Sequence, residues 1–229
     1  MSARVSLIIG IFAGFALLAG AFAALYWLLT PERFPFARVE VVGTLKNMAP
    51  RQVEAAIPQV SGNFFALDLA EVRERVERLP WVRRVAVRRV WPATLEVTVE
   101  EHVALARWGD DALVNTHGER FSAKAVEPLP LFTGPGGSAA EVTRRYRRFS
   151  EIVEPLGTGI ERVVLTQRQA WQLKLGNGMH IMLGRDADLA EERLRRFVDA
   201  YPSVRKKAHE YVDLRYPNGF ALRVPDWNG

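Results

Sequence analysis

The chain contains no cysteine, which excludes a disulfide scaffold, thiolate zinc sites and a cysteine nucleophile. Histidine is scarce: His102, His117, His180 and His209 are spread along the chain, and none has a second histidine four residues on. The H-E-x-x-H zinc arrangement is therefore absent, as are the G-x-S-x-G nucleophile elbow and the G-x-x-x-x-G-K-S/T phosphate loop. Gly157-Thr158-Gly159 begins like a dinucleotide loop, but it lacks the third glycine and a preceding strand and reads as a turn. Asp110-Asp111 reads as a polar turn between Trp108 and Leu113 rather than a catalytic carboxylate pair. A nucleophile, base or metal in mutual reach is not assembled by any local motif, so neither a metal nor a cofactor is expected. Internal repeats and low-complexity tracts are missing as well.

What is present is an ordinary globular composition with one anomaly. Of 229 residues, 48% are hydrophobic and 25% charged, with a net charge of +5. The length suits one or two domains, and the basic balance points to an acidic partner such as anionic lipid, an acidic protein surface or nucleic acid. The anomaly is Val5 to Leu29, which carries no charge. As a helix of about 25 residues it spans roughly 38 Å, enough to cross a hydrocarbon core of about 30 Å with some tilt. Tyr26 and Trp27 lie near one end, where amphipathic rings favour the headgroup layer. The competing reading is a cleaved signal peptide, since Ala21-Phe22-Ala23 has the A-x-A form. The length of the apolar run and the greasy Leu25–Leu29 segment that cleavage would expose favour an anchor. Charge leaves the orientation open: Arg4 stands on one side, and Arg33 and Arg38, offset by Glu32 and Glu40, on the other. Gly10, Gly14 and Gly20 form small-residue stripes suited to close helix packing in the bilayer.

After a short Pro-containing linker at 30–35, the pattern reads strand, helix, helix, strand, strand. Arg38–Val41 alternates and stops at Gly43. Pro50–Ile57 opens with proline in its first turn. Asp68 is placed to cap a helix carrying Leu69, Val72, Val76 and Leu79. Val85 and Val87, then Leu95, Val97 and Val99, alternate as strands around Trp91-Pro92. This is a small α+β module with helices on one face of a three-stranded sheet. A second unit starts near Ala104. Leu113-Val114 and Arg120-Phe121 form a hairpin, and Ser138 is placed to cap a helix with Val142, Tyr146, Phe149 and Val153 on its apolar face. Three strands follow at 162–165, 171–175 and 180–183, then a helix with Ala190, Leu194, Phe197, Val198 and Tyr201 on one face. A final hairpin joins 211–216 to 220–224 around Pro217-Asn218-Gly219. The unit reads as mostly antiparallel sheet with two helices, and its last strand is a candidate exposed edge, a template for a partner strand.

Arginines cluster at 83, 84, 88 and 89, at 144, 145, 147 and 148, and at 193, 195 and 196. They fill positions between apolar residues, as a solvated face would. Nucleic acid is not the expected partner of a chain with a membrane span. Anionic headgroups suit a tethered basic domain better.

Several segments together resemble the FtsQ (DivIB) family of bacterial cell-division proteins. Arg78-Leu79-Pro80-Trp81-Val82 followed by Val85 through Arg89-Val90-Trp91-Pro92 is similar to the family's "LPWV…V-x-V-x-R-x-W-P" segment. Ala106-Arg107-Trp108, Val114-Asn115 through Gly118 to Phe121, Leu131, Gly134-Pro135, Trp171-Gln172-Leu173, Leu183-Gly184-Arg185, Arg196-Phe197 and Tyr211–Tyr216 continue the likeness in order. The resemblance implies a cytoplasmic tail at 1–4, a transmembrane helix at 5–29, a linker at 30–35, a POTRA domain at 36–103, an FtsQ-type β-domain at 104–224 and a tail at 225–229. It further implies a single-pass type II inner-membrane protein at the division septum, with both domains periplasmic. The family's cytoplasmic tail is usually longer and more basic than Met1–Arg4.

No enzyme activity is implied. The implied role is divisome assembly, binding FtsB and FtsL, with FtsK and the septal synthase FtsW–FtsI as further partners. The FtsB site would fall on Arg185, Arg215, Tyr216, Pro217, Asn218, Gly219, Phe220 and Leu222 at the last hairpin. Read without the resemblance, Tyr216 is a half-buried strand tyrosine and Arg185 a surface arginine. A second partner surface would fall on Arg84, Val87 and Arg89, where Val87 also reads as core. Two other classes stay open on the residues alone: a membrane-anchored cell-wall enzyme, which needs a pocket of convergent ionisable groups, and a POTRA protein of polypeptide transport, which needs a barrel longer than the remaining chain.

Overall fold

The computed structural model describes residues 2–29, 38–57, 67–125, 127–204, 211–216 and 219–223. The linker at 30–35, Pro217, Asn218, Val224 and the tail at 225–229 lie outside these residues. The apolar run forms α1 (Ser2–Leu29). Within it, Ile8–Trp27 is long and apolar enough to cross a membrane, with no part buried against the rest of the chain. The chain divides into two compact units between Glu101 and His102.

In the first unit, β1 (Arg38–Val42), α2 (Pro50–Ala56), α3 (Leu69–Glu77), β2 (Val82–Val90) and β3 (Thr94–Glu101) follow the expected order. The sheet runs β1-β3-β2, with β1 parallel and β2 antiparallel to the central β3. Leu95, Val97 and Val99 of β3 project to one face and are buried with Val53, Ile57, Val72 and Val76 from the helical segments. Alternation along β3 leaves Glu96, Thr98 and Glu100 on the other face. Asp68 caps α3 as its position suggests, its carboxylate accepting the Ala70 and Glu71 amides.

Two devices in this unit are not readable from local sequence. Gly43 has φ +148, and a Cβ there would stand 2.2 Å from the Val99 carbonyl oxygen, so only glycine lets the chain leave β1 so close to β3. The Glu101 carboxylate accepts the backbone amides of Lys46, Asn47 and Met48 at 2.8, 3.1 and 3.0 Å. It thereby pins the loop that leads into α2.

The second unit is a nine-stranded sheet. It contains β4 (Ala104–Trp108), β5 (Ala112–Asn115), β6 (Arg120–Phe121), β7 (Leu131–Thr133), β8 (Ile160–Leu165), β9 (Trp171–Leu175), β10 (His180–Gly184), β11 (Tyr211–Asp213) and β12 (Ala221–Arg223). The strand order is β12-β11-β10-β9-β8-β7-β4-β5-β6. Five of its pairings are antiparallel, and three, β4–β7, β7–β8 and β10–β11, are parallel. Two of the parallel joints are spanned by helices: α4 (Ala139–Val153) connects β7 to β8, and α5 (Ala187–Val204) connects β10 to β11. A parallel neighbour requires such a crossover. The helices pack on one face of the sheet, where Val142, Phe149, Val153, Ala190, Leu194 and Phe197 are buried with the inward strand residues.

Three local expectations change. Ser138 sits at the N-cap position of α4, but its hydroxyl donates to the Pro135 carbonyl (2.7 Å) and makes no cap bond. Among the described residues the final hairpin pairs only Tyr211–Asp213 with Ala221–Arg223, shorter than 211–216 with 220–224, and the Leu214 amide donates to Met182 of β10 (2.9 Å) in the parallel ladder. The arginine clusters are not uniformly solvated: Arg83 is 8% exposed beside Glu100, and Arg145 is largely buried between Asp188 and Glu191, joining α4 to α5.

Candidate functional site

The C-terminal edge of the nine-stranded sheet is built from β10, β11 and β12. An apolar row crosses the sheet in register: Trp108, Phe132, Val163, Leu173, Ile181, Val212 and finally Leu222. All but Leu222 are buried. Leu222 is half-buried because no further strand follows it among the described residues. Phe220 holds β12 down from the same side, meeting Phe197 of α5 edge to face at 5.4 Å.

On the opposite face the neighbouring row is polar and carries cations, with Lys174 paired to Glu161 at 2.9 Å. Arg162, Lys174, His180, Tyr211 and Arg223 follow one another across β8 to β12. The edge strand therefore offers one apolar and one cationic side, with a backbone edge between them.

The turn after β11 is fixed by Asp213. Its carboxylate is 8% exposed and accepts from the Arg215 amide (3.0 Å), Nε (2.9 Å) and Nη2 (2.5 Å). Hydrogen bonding to Arg215 holds the Asp213 carboxyl below the usual aspartate range, against the opposing effect of burial. The Arg215 guanidinium is raised above its ordinary value by the same bonds. Arg215 thus organises the turn while its side chain stays 57% exposed. Gly184 (φ +94) ends β10 directly beneath it; a Cβ there would meet Arg193 Nη1 at 3.2 Å and Arg215 Cγ at 3.5 Å. Arg185 follows, exposed, at the same end of the sheet. Tyr216 projects outward, 54% exposed, and Gly219 is exposed beyond it.

The fold so assembled, a small β-α-α-β-β unit followed by this sheet, coincides with two family descriptions. "POTRA domain, FtsQ-type" matches residues 34–102, and "Cell division protein FtsQ/DivIB, C-terminal" matches residues 106–215. The chain belongs to the FtsQ/DivIB family. It is 43% identical over 217 residues to the Cell division protein FtsQ of Burkholderia pseudomallei, covering 91% of this chain and 87% of the relative. It is 44% identical over 185 residues to that of Nitrosospira multiformis, covering 79% and 78%, and 38% identical over 247 residues to that of Bordetella pertussis, covering 96% and 90%. Membership of this family carries a role in cell division, protein interactions within the divisome and a single membrane span.

The remaining sequence-based candidates are placed as follows. Alternation on β2 separates Arg84, which pairs across from Glu100 on the open face, from Val87 and Arg89, which share the helix-facing parity. Val87 packs against the core, while Arg89 reaches the Leu67 carbonyl (2.5 Å). Gly10, Gly14 and Gly20 have open space around them on α1. Among the described residues, no three histidine, aspartate or glutamate side chains gather as a metal set. What sequence reasoning missed at the edge is the Asp213–Arg215 clamp. The D-x-R spacing in Tyr211–Tyr216 was its visible trace.

Proposed function

We propose that this chain holds FtsB and FtsL by adding a partner strand to β12, linking early division proteins to septal peptidoglycan synthesis by FtsW–FtsI without catalysing a reaction itself. Its short N-terminal segment lies in the cytoplasm and both folded units in the periplasm, at the septum. The supporting observation is that, among the described residues, β12 is the last strand of the sheet, with the half-buried Leu222 at the end of a continuous apolar row. A strand added there gains main-chain bonds and covers Leu222. Its side chains alternate, apolar opposite Leu222 and acidic opposite Ala221 and Arg223, where the polar row ends. Tyr216 and Arg185 flank the edge as exposed anchors of the kind that dominate such contacts. The open strand β2, with Arg84, Val87 and Arg89, serves upstream divisome members such as FtsK. Gly10, Gly14 and Gly20 pack α1 on a partner span.

Calorimetric titration of the full chain in detergent with the extracytoplasmic segment of FtsB tests this. Tyr216→Ala should weaken binding by about 2 kcal/mol, or roughly 30-fold, with melting unchanged because the ring is exposed. Wild-type affinity in the folded variant would move the interface away from this edge.

A further inference from the structure

The β2–β3 hairpin of the first unit carries an unexplained surface. Its tip, Val90-Trp91-Pro92-Ala93, is an apolar run, and Trp91 is 81% exposed. Indole left in water forgoes a large share of the burial energy that an aromatic side chain ordinarily gains. Neither the β12 edge nor the open strand β2 uses it.

The register shows where this tip sits. Arg38, the first residue of β1, pairs with Thr94, and Thr94 pairs with Val90. The tip is therefore within two strand spacings, roughly 10 Å, of the point where the chain arrives from α1. Residues 30–37 separate Leu29 from Arg38, so that point lies at most about 32 Å along the chain from the end of the span. The other end of the sheet, where Glu101 holds the 46–48 loop, lies roughly 23 Å further along β3. The one hairpin tip at the arrival end of this sheet is thus the one that exposes a tryptophan.

Charge agrees with a lipid surface. Arg38 is exposed near the tip, while Arg89 is engaged with the Leu67 carbonyl. Arg88 is paired with Glu96 at 2.6 and 2.8 Å, so that carboxylate adds no net repulsion. Glu40 lies two residues further along β1.

We infer that the Trp91 tip docks into the headgroup layer of the bilayer that α1 enters, with Arg38 facing lipid phosphates, so that the first unit rests on the membrane in one orientation. An amphipathic indole is suited to that layer, and basic side chains near an anionic surface add to the attraction. The contact turns a flexible tether into a defined stance. The free edge of β2 and the open face with Arg84 are then presented sideways instead of being averaged over all directions.

The absence of cysteine makes the test clean. Ala93→Cys at the tip and Thr44→Cys at the far end each give a single thiol, labelled with a fluorophore. The full chain is placed in nanodiscs of phosphatidylethanolamine and phosphatidylglycerol containing headgroup-nitroxide lipid. Quenching at 93 should exceed that at 44 by about twofold or more if the tip enters the interface. Adding Trp91→Ser to the Ala93→Cys chain should bring quenching down to the far-end level; the exposed ring can be removed without loss of fold, which circular dichroism checks. Equal quenching at 93 and 44 would overturn the inference. So would a difference that survives Trp91→Ser, since the tether alone would then explain it. Quenching at 93 that is low in the discs and changes only when another divisome protein is added would assign Trp91 to a protein partner instead.

Discussion

Replacing Asp213 by Asn isolates the clamp that shapes the C-terminal edge. The amide keeps one oxygen for the Arg215 backbone N–H (3.0 Å) and Nε (2.9 Å) but loses the charge and the second oxygen, which accepts from Nη2 at 2.5 Å. A hydrogen bond to a charged group contributes about 1.5–3 kcal/mol. Arg215 is 57% exposed, so solvent screening lowers the expectation to about 1–2 kcal/mol. For a unit of this size that corresponds to a melting decrease of about 3–8 °C. The pH dependence follows from the depressed folded-state value of Asp213. Its contribution is full above the unfolded aspartate value of about 3.9 and is lost as pH falls from there through the lower folded value. Melting of wild type and Asp213→Asn, followed by circular dichroism from pH 7 to pH 2, should therefore show a gap that is constant above about pH 5 and closes in acid. A gap that is absent at pH 7, or that persists undiminished at pH 2, would refute the argument. The same substitution should speed amide exchange at Arg223, which pairs with Tyr211, more than at Leu173, because β12 depends on the turn and the sheet centre does not.

Two further perturbations address the first unit. Gly43→Ala places a methyl group 2.2 Å from the Val99 carbonyl oxygen and should destabilise that unit by about 1–3 kcal/mol, seen as an earlier thermal transition; an unchanged transition would mean that the β1 exit relaxes freely. Glu101→Ala leaves the amides of Lys46, Asn47 and Met48 without their shared acceptor. Those amides should exchange much faster, with a loss of about 1–2 kcal/mol; protection equal to wild type would show that the loop is held by other contacts.

Much of this fold is legible because local chemistry enforces it. Alternation in 95–99 can bury only one face, Asp68 stands one residue before an apolar helical stripe, and Val5–Leu29 has no charge to keep it in water. Expectations failed where a local signal met a non-local competitor. Ser138 has the right position for a cap, but its hydroxyl turns back to Pro135. Arg83 and Arg145 look like surface charges in sequence and are buried because acids from β3 and α5 reach them.

The sequence by itself therefore determined the anchor, the order of elements, the apolar face of each helix and the existence of a last, edge-capable strand. These depend on residues a few positions apart. Only the tertiary structure decided that β7 and β11 join the sheet in parallel, that Leu222 closes an apolar row begun at Trp108, that Asp213 engages Arg215 and that Trp91 stands at the end of the sheet where the chain arrives. Each of these is a choice of neighbour. Strand order and register are set by which surfaces bury together across long stretches of chain, and that competition is global.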